Sequence, residues 1–151
     1  MKIGLKFNDL LVAVMTFGKP RFSRNYEWEL LRYCSNSTVV GGASKLLSFF
    51  KKKYLPASIV SYADIRWGNG KLYDSLGFTL ERISEPNYFY FKGNKRFSRY
   101  SFQKANLKKL LISFDERKSE QENAFDNGYR RCWDAGHMVF SWRALSHELR
   151  V

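Results

Sequence analysis

Between Gly41-Gly42 and Pro56 the chain reads as an amphipathic helix set among strands, and that placement alone points to an α/β architecture. Ala43, Leu46, Leu47, Phe50 and Tyr54 recur at helical spacing, with Lys45, Lys51, Lys52 and Lys53 beside or opposite the apolar stripe. Gly41-Gly42 opens the segment and Pro56 stops it. Before it, residues 2–7 and 10–17 read as two strands around the turn signal Asn8-Asp9. Residues 26–34 form a third strand, with Tyr26, Trp28 and Leu30 on one side and Glu27 and Glu29 on the other. After it, residues 58–63 read as a short buried strand ending in Asp64, and residues 69–76 as a short helix closed by Gly77. Residues 78–83 and 87–92 look like a strand pair around Glu85-Pro86. This order implies a mixed, mostly antiparallel sheet flanked by helices, expected to occupy residues 1–93.

Residues 94–151 read as an extension packed on that core. Residues 98–112 are expected to be helical, with Leu107, Leu110, Leu111 and Phe114 as the stripe. Ser119-Glu120-Gln121-Glu122 matches a capping box and starts a helix that Gly128 ends. Residues 129–133 and 137–142 alternate around Asp134-Ala135-Gly136, which suggests a small hairpin.

Charge decides which partners suit such a chain. The formal net charge is +12, and aromatic residues make up 17% of the 151 positions. The excess is uneven: residues 1–93 carry 14 basic and 7 acidic side chains, residues 94–118 carry 8 and 2, and residues 119–151 carry 4 and 5. A cationic surplus favours a polyanion, because each neutralised phosphate releases counterions, and surface aromatics suit stacking on bases. DNA is therefore the expected partner. Lys95, Arg96, Arg99, Lys104, Lys108 and Lys109 are the leading contact residues, interleaved with Phe97, Tyr100 and Phe102, and Lys51, Lys52 and Arg66 add to them. A solvated charged face is the competing explanation. No apolar run approaches the roughly 20 residues of a membrane span, and the N-terminus lacks a signal-length apolar stretch. The two cysteines, Cys34 and Cys132, have no nearby partners, which fits a reducing cytoplasm, a host's if the chain is phage-encoded.

Two further constellations can carry chemistry. Val40-Gly41-Gly42-Ala43-Ser44 joins a strand to a helix, where free backbone N–H groups and the helix dipole favour an anion; a plain tight turn explains the glycines equally. Asp64 ends a strand at the sheet edge, where α/β sites gather. Its carboxylate can act as a base, bind a metal, pair with Arg66 or cap the following turn. Tyr73 is either a core ring or a hydroxyl donor. Cys132 and His137 lack the further ligands that a metal needs, so no metal site is expected.

At these residues a resemblance emerges. The third strand through Tyr73…Gly77-Phe78 resembles the core of the GNAT N-acetyltransferases. More specifically, Val14-Met15-Thr16-Phe17-Gly18-Lys19-Pro20, Trp28-Glu29-Leu30-Leu31-Arg32, Gly41-Gly42-Ala43-Ser44 and Ser61-Tyr62-Ala63-Asp64 resemble a phage-associated branch. That branch includes Mom-type DNA adenine-modifying proteins and a domain, Hef-like or Vsr-type, found C-terminal to the nuclease in phage homing endonucleases. The latter is most similar, and extends through Pro86-Asn87-Tyr88-Phe89-Tyr90-Phe91 and Asn127-Gly128-Tyr129-Arg130…Trp133-Asp134-Ala135-Gly136. The resemblance implies a GNAT-like sheet with a DNA-binding accessory or targeting role, beside a separate nuclease or other protein. It also implies an alternative, group transfer from acyl-CoA or Mom-like base modification. Gly41, Gly42, Ala43 and Ser44 would then hold the donor's pyrophosphate, and Asp64 and Tyr73 would stand at the reacting centre. Thr38 replaces the Gln or Arg that the acetyltransferase loop usually carries, and the only histidines, His137 and His147, lie far from the Mom-type position. An endonuclease with an unrecognised metal site is the third reading.

Overall fold

The computed structural model describes residues 1–145. In chain order the elements are β1 (Lys2–Phe7), β2 (Leu10–Gly18), β3 (Trp28–Ser35), α1 (Gly42–Tyr54), β4 (Ser58–Asp64), α2 (Lys71–Ser75), β5 (Thr79–Ile83), β6 (Tyr88–Lys92), β7 (Lys95–Ser98), α3 (Lys104–Leu110), α4 (Glu120–Asp126), β8 (Arg130–Trp133) and β9 (His137–Arg143). They form a mixed α/β protein with two compact units. The first holds residues 1–84 and the chain from His137, and the second holds Glu85–Gly136. The sequence expectation put the change at residue 94.

The first unit is a six-stranded sheet in the order β1-β2-β3-β4-β9-β5. Every neighbouring pair is antiparallel except β3 and β4. Asn8 and Asp9 both adopt positive φ, 47° and 61°, the conformation a two-residue hairpin turn requires and these residue types tolerate. The apolar stripe of α1 buries Ala43, Leu46, Leu47 and Phe50 against Met15, Phe17, Leu30, Ile59 and Phe140. Leu76 and Phe78 join the same cluster, and Tyr73 packs on it, so α1 and α2 cover one face of the sheet. Lys51, Lys52 and Lys53 in the last turn of α1 complement its dipole.

The second unit is a three-stranded antiparallel sheet, β7-β6-β8, over a core of Tyr90, Phe102, Leu107, Leu111 and Ala124. The Tyr90 and Phe102 rings stack with centroids 4.1 Å apart. Ser119 and Glu122 form the expected reciprocal capping box at the start of α4. Asn123, 2% exposed, donates to the carbonyls of Asp115, Lys118 and Ser119 and accepts from the Asp115 amide, which fastens the preceding turn to the helix.

Three local expectations are corrected. Residues 78–83 and 87–92 are strands but not partners: β5 pairs with β9, and β6 pairs with β7 and β8. Residues 129–133 and 137–142 do not form a hairpin. β8 joins the small sheet, and β9 inserts between β4 and β5. Gly136, at φ 84°, turns the chain between them. Val139, Phe140 and Ser141 are buried in succession, as a strand covered on both faces requires. The helix expected over 98–112 is divided into the end of β7, a 3-10 turn (Arg99–Phe102) capped by Ser98, and α3. Among the described residues no helix is long and apolar enough to cross a membrane.

Candidate functional site

The one parallel pairing opens the first unit. β3 and β4 pair only at Trp28–Ile59 and Glu29–Val60. Beyond that, β3 stays with β2 as far as Ser35, and β4 stays with β9 as far as Asp64, so the two strands part. Parting takes the Leu30 carbonyl out of the ladder, and a buried carbonyl needs a donor. Ser61, 1% exposed, supplies one: its hydroxyl donates to Leu30 O at 2.8 Å. The same oxygen lies 3.0 Å from the Tyr73 hydroxyl. A serine has one proton, and Leu30 takes it, so Tyr73 is the donor in the second bond. The Tyr73 ring is held by stacking on Phe140, 4.5 Å between centroids, and edge-on to Phe78.

The loop leaving β3 reaches α1 through Gly41, at φ 67°, where a side chain would be strained and the space around a Cβ is empty. No side chain caps the helix, and its first turn carries no acid. Gly42 donates its amide to Val39 O at 3.1 Å, so it is already used. Ala43 is buried and Ser44 exposed in that uncapped turn.

Asp64 takes two of the four roles open to it: it pairs with Arg66 and caps the turn that follows. Its carboxylate accepts from Arg66 Nε at 3.0 Å, from the Arg66 guanidinium at 2.6 Å and from the Arg66 amide at 3.0 Å. Those hydrogen bonds pull its pKa down to about 2. A carboxylate so strongly held as an anion is a poor proton acceptor near neutral pH. Among the described residues no three His, Cys, Asp or Glu side chains gather as a metal site. His147 lies outside the described residues.

Lys51 and Lys52 border an open groove of about 460 Å³ with Ser48, Pro56, Trp142 and Arg143. The Lys51 ammonium sits 3.8 Å from the Trp142 ring centroid, a cation–π contact.

The remaining candidate contact residues belong to the second unit. Residues 86–114 contain seven basic residues, Lys92, Lys95, Arg96, Arg99, Lys104, Lys108 and Lys109, and no acid. The fold divides their roles. Lys108 pairs with Glu116, and Lys104 donates to the Glu116 carbonyl, so these two hold the loop before α4. Lys92 donates to Asn127 O at 2.9 Å. Arg99 donates to the Asn87 side chain at 3.1 Å. Lys95, Arg96, Arg99 and Lys109 have no carboxylate within ion-pair reach among the described residues. Lys95 faces Lys92 across the β6–β7 turn, and Arg96 lies 3.9 Å over the Phe89 ring. Other acids of the unit have partners of their own: Arg117 pairs with Asp115, Lys118 with Asp126, Glu122 closes the capping box, Glu120 accepts from the Tyr88 and Tyr90 hydroxyls, and Asp134 accepts from the Asn87 amide.

Sequence reasoning missed two residues. Glu29, read only as a charge opposite Trp28 and Leu30, is 1% exposed, bound by the Arg21 guanidinium at 2.6 Å and the Arg21 amide at 2.8 Å. Ser61 reads as an ordinary strand residue, and only the parting of β3 from β4 gives it a task. No family model and no curated protein matches this chain.

Proposed function

We propose that this chain binds polynucleotide, DNA above all, through the cationic side of its second unit, as an accessory or targeting module. The observation that carries the reading is the acid-free stretch 86–114, folded so that Lys95, Arg96, Arg99 and Lys109 have no carboxylate partner among the described residues. Cations left without carboxylate partners keep their potential, and they attract phosphate whatever the base sequence. The resemblance to the domain of phage homing endonucleases adds to it.

The test is fluorescence anisotropy with duplex and single-stranded DNA across a salt series. Engaging three or four phosphates gives a slope near −0.9 per contact, so affinity should fall roughly 40- to 150-fold between 50 and 200 mM salt. Replacing Lys95 and Arg96 with alanine should make that slope shallower by about two. A protein that ignores both forms of DNA at low salt does not have this function.

A second reading, transfer of a group from an acyl-CoA-type donor, is favoured by one separate observation. The parted strands, the uncapped start of α1 after Gly41 and the Tyr73–Ser61–Leu30 hydrogen-bond chain all belong to the first unit. There Gly41, Ala43 and Ser44 would take the pyrophosphate, the Gly42 amide being held by Val39, and Tyr73 would present its hydroxyl. Asp64, committed to Arg66, would fix the strand end. Acetyl-CoA at 100 times its dissociation constant should then stabilise the protein by about 2.7 kcal/mol in a thermal melt. An unmoved melting temperature at millimolar acetyl-CoA removes this reading and leaves the first untouched.

A further inference from the structure

The second unit carries a run of alternating aromatic rings and guanidinium groups that its own packing does not consume. Tyr88 is at the centre. The Arg99 guanidinium carbon lies 5.8 Å from the Tyr88 ring centroid and 5.2 Å from that of Tyr100. The Arg131 guanidinium carbon lies 5.2 Å from the Tyr88 centroid and 5.1 Å from that of Trp133. Trp133 also meets Tyr88 edge-on at 5.0 Å. The register explains how residues so distant in sequence meet: Tyr88 faces Trp133 and Tyr90 faces Arg131 across β6 and β8. Ser98 caps the turn that presents Arg99 and Tyr100.

The ends of this run are open. Tyr100 is 61% exposed and Trp133 51% exposed, whereas Tyr88, Arg99 and Arg131 are half-buried between them. Neither arginine has a carboxylate partner among the described residues. Two acids border the run with other partners: Glu120 accepts from the Tyr88 and Tyr90 hydroxyls at 3.3 and 3.1 Å, and Asp134 accepts from the Asn87 amide at 2.8 Å. A large ring left in water beside an arginine is costly to keep and useful for stacking a flat, electron-rich partner next to negative charge. A nucleobase on a phosphodiester backbone has both properties. Its faces are available only when the strand is unpaired.

We propose that Tyr100 and Trp133 are stacking positions for the bases of a single-stranded polynucleotide, and that Arg99 and Arg131 brace the rings and meet the flanking phosphates. This rests on the polynucleotide reading above and deepens it from charge attraction to recognition of an unpaired strand. Bases on the two rings would hold the strand by a contact that salt does not screen.

The experiment compares two oligomers of equal length and charge, oligo(dT) and its fully abasic counterpart, with duplex DNA as a third ligand. A Trp67→Phe background removes the 85%-exposed tryptophan of the first unit from the fluorescence signal. Oligo(dT) should quench the remaining tryptophan emission and bind about tenfold more tightly than the abasic strand. Tyr100→Ala and Trp133→Ala should each lose most of that margin and keep the abasic and duplex affinities, which shows that the variants fold. Equal affinity of wild-type protein for oligo(dT) and the abasic strand overturns the stacking proposal, needs no variant, and leaves the electrostatic reading standing. Absence of binding to all three ligands overturns both. Loss of duplex and abasic binding by Tyr100→Ala would place that ring in a structural role and overturn its assignment.

Discussion

Phe50→Ala is expected to destabilise the protein by about 3–5 kcal/mol, the range for deleting a fully buried aromatic ring. Phe50 has no exposed surface. Its ring lies flat on Phe17, 3.6 Å between centroids and 6° from parallel, and meets Trp28 edge-on at 5.3 Å and Tyr54 at 5.2 Å. Its three aromatic neighbours would keep their packing only if the surroundings could close over the cavity. They cannot easily do so, because Phe17 and Trp28 are fixed in paired strands of the sheet. The measurement is urea unfolding followed by far-ultraviolet circular dichroism, with Phe50→Leu as the companion variant that refills part of the space and should recover about half the loss. A loss under 1 kcal/mol would mean that α1 is not docked as described. The functional consequence is specific to the first unit: with α1 loosened, the start of the helix after Gly41 is no longer held beside the parted strands. The proposed polynucleotide binding through Lys95, Arg96 and Arg99 should change much less, since those residues belong to the other compact unit.

How far the sequence reaches is clear from pairs of residues that behave differently. Asn8-Asp9 announced its hairpin because the turn chemistry is local, and Ser119…Glu122 announced its capping box for the same reason. The stripe from Ala43 to Phe50 was legible because one face of a helix meets one core. Partner choice was not legible. The alternation in residues 129–133 and 137–142 is correct as strand, yet nothing within those residues tells β9 to leave β8 and slide between β5 and β4, the latter 73 positions or more upstream in the register Asp64–His137. Sheet pairing is settled by which apolar faces must be covered, and that is a property of the whole chain. The candidate sites show the same limit. Gly41 and the cationic run were visible as local composition. The Tyr73–Ser61–Leu30 chain and the Tyr100–Arg99–Tyr88–Arg131–Trp133 run were not, since each needs elements brought together by long-range pairing.

Arg21→Ala should cost about 3 kcal/mol, the lower end for breaking a buried ion pair, because Arg21 is half in water while Glu29 is not. Glu29 accepts from the Arg21 amide, Nε and the terminal guanidinium nitrogen, so its carboxylate exchanges water for three donors of one residue. Removing the side chain takes two of those donors away and strands a negative charge with 1% exposure. The double variant Arg21→Ala, Glu29→Leu should be more stable than Arg21→Ala alone, since it removes the stranded charge together with its partner. Chemical unfolding of the wild type, both single variants and the double variant closes the cycle. A double variant no better than Arg21→Ala would show that the arginine acts through packing rather than charge. The position gives the pair a further consequence. Glu29 faces Gly18 on β2 and Val60 on β4, and the rung with Val60 is the last before the parallel strands separate. A charge buried at the apex of that opening needs a fixed counterion, and Arg21 comes from the loop just after β2. The ion pair therefore ties that loop to the point where the sheet divides.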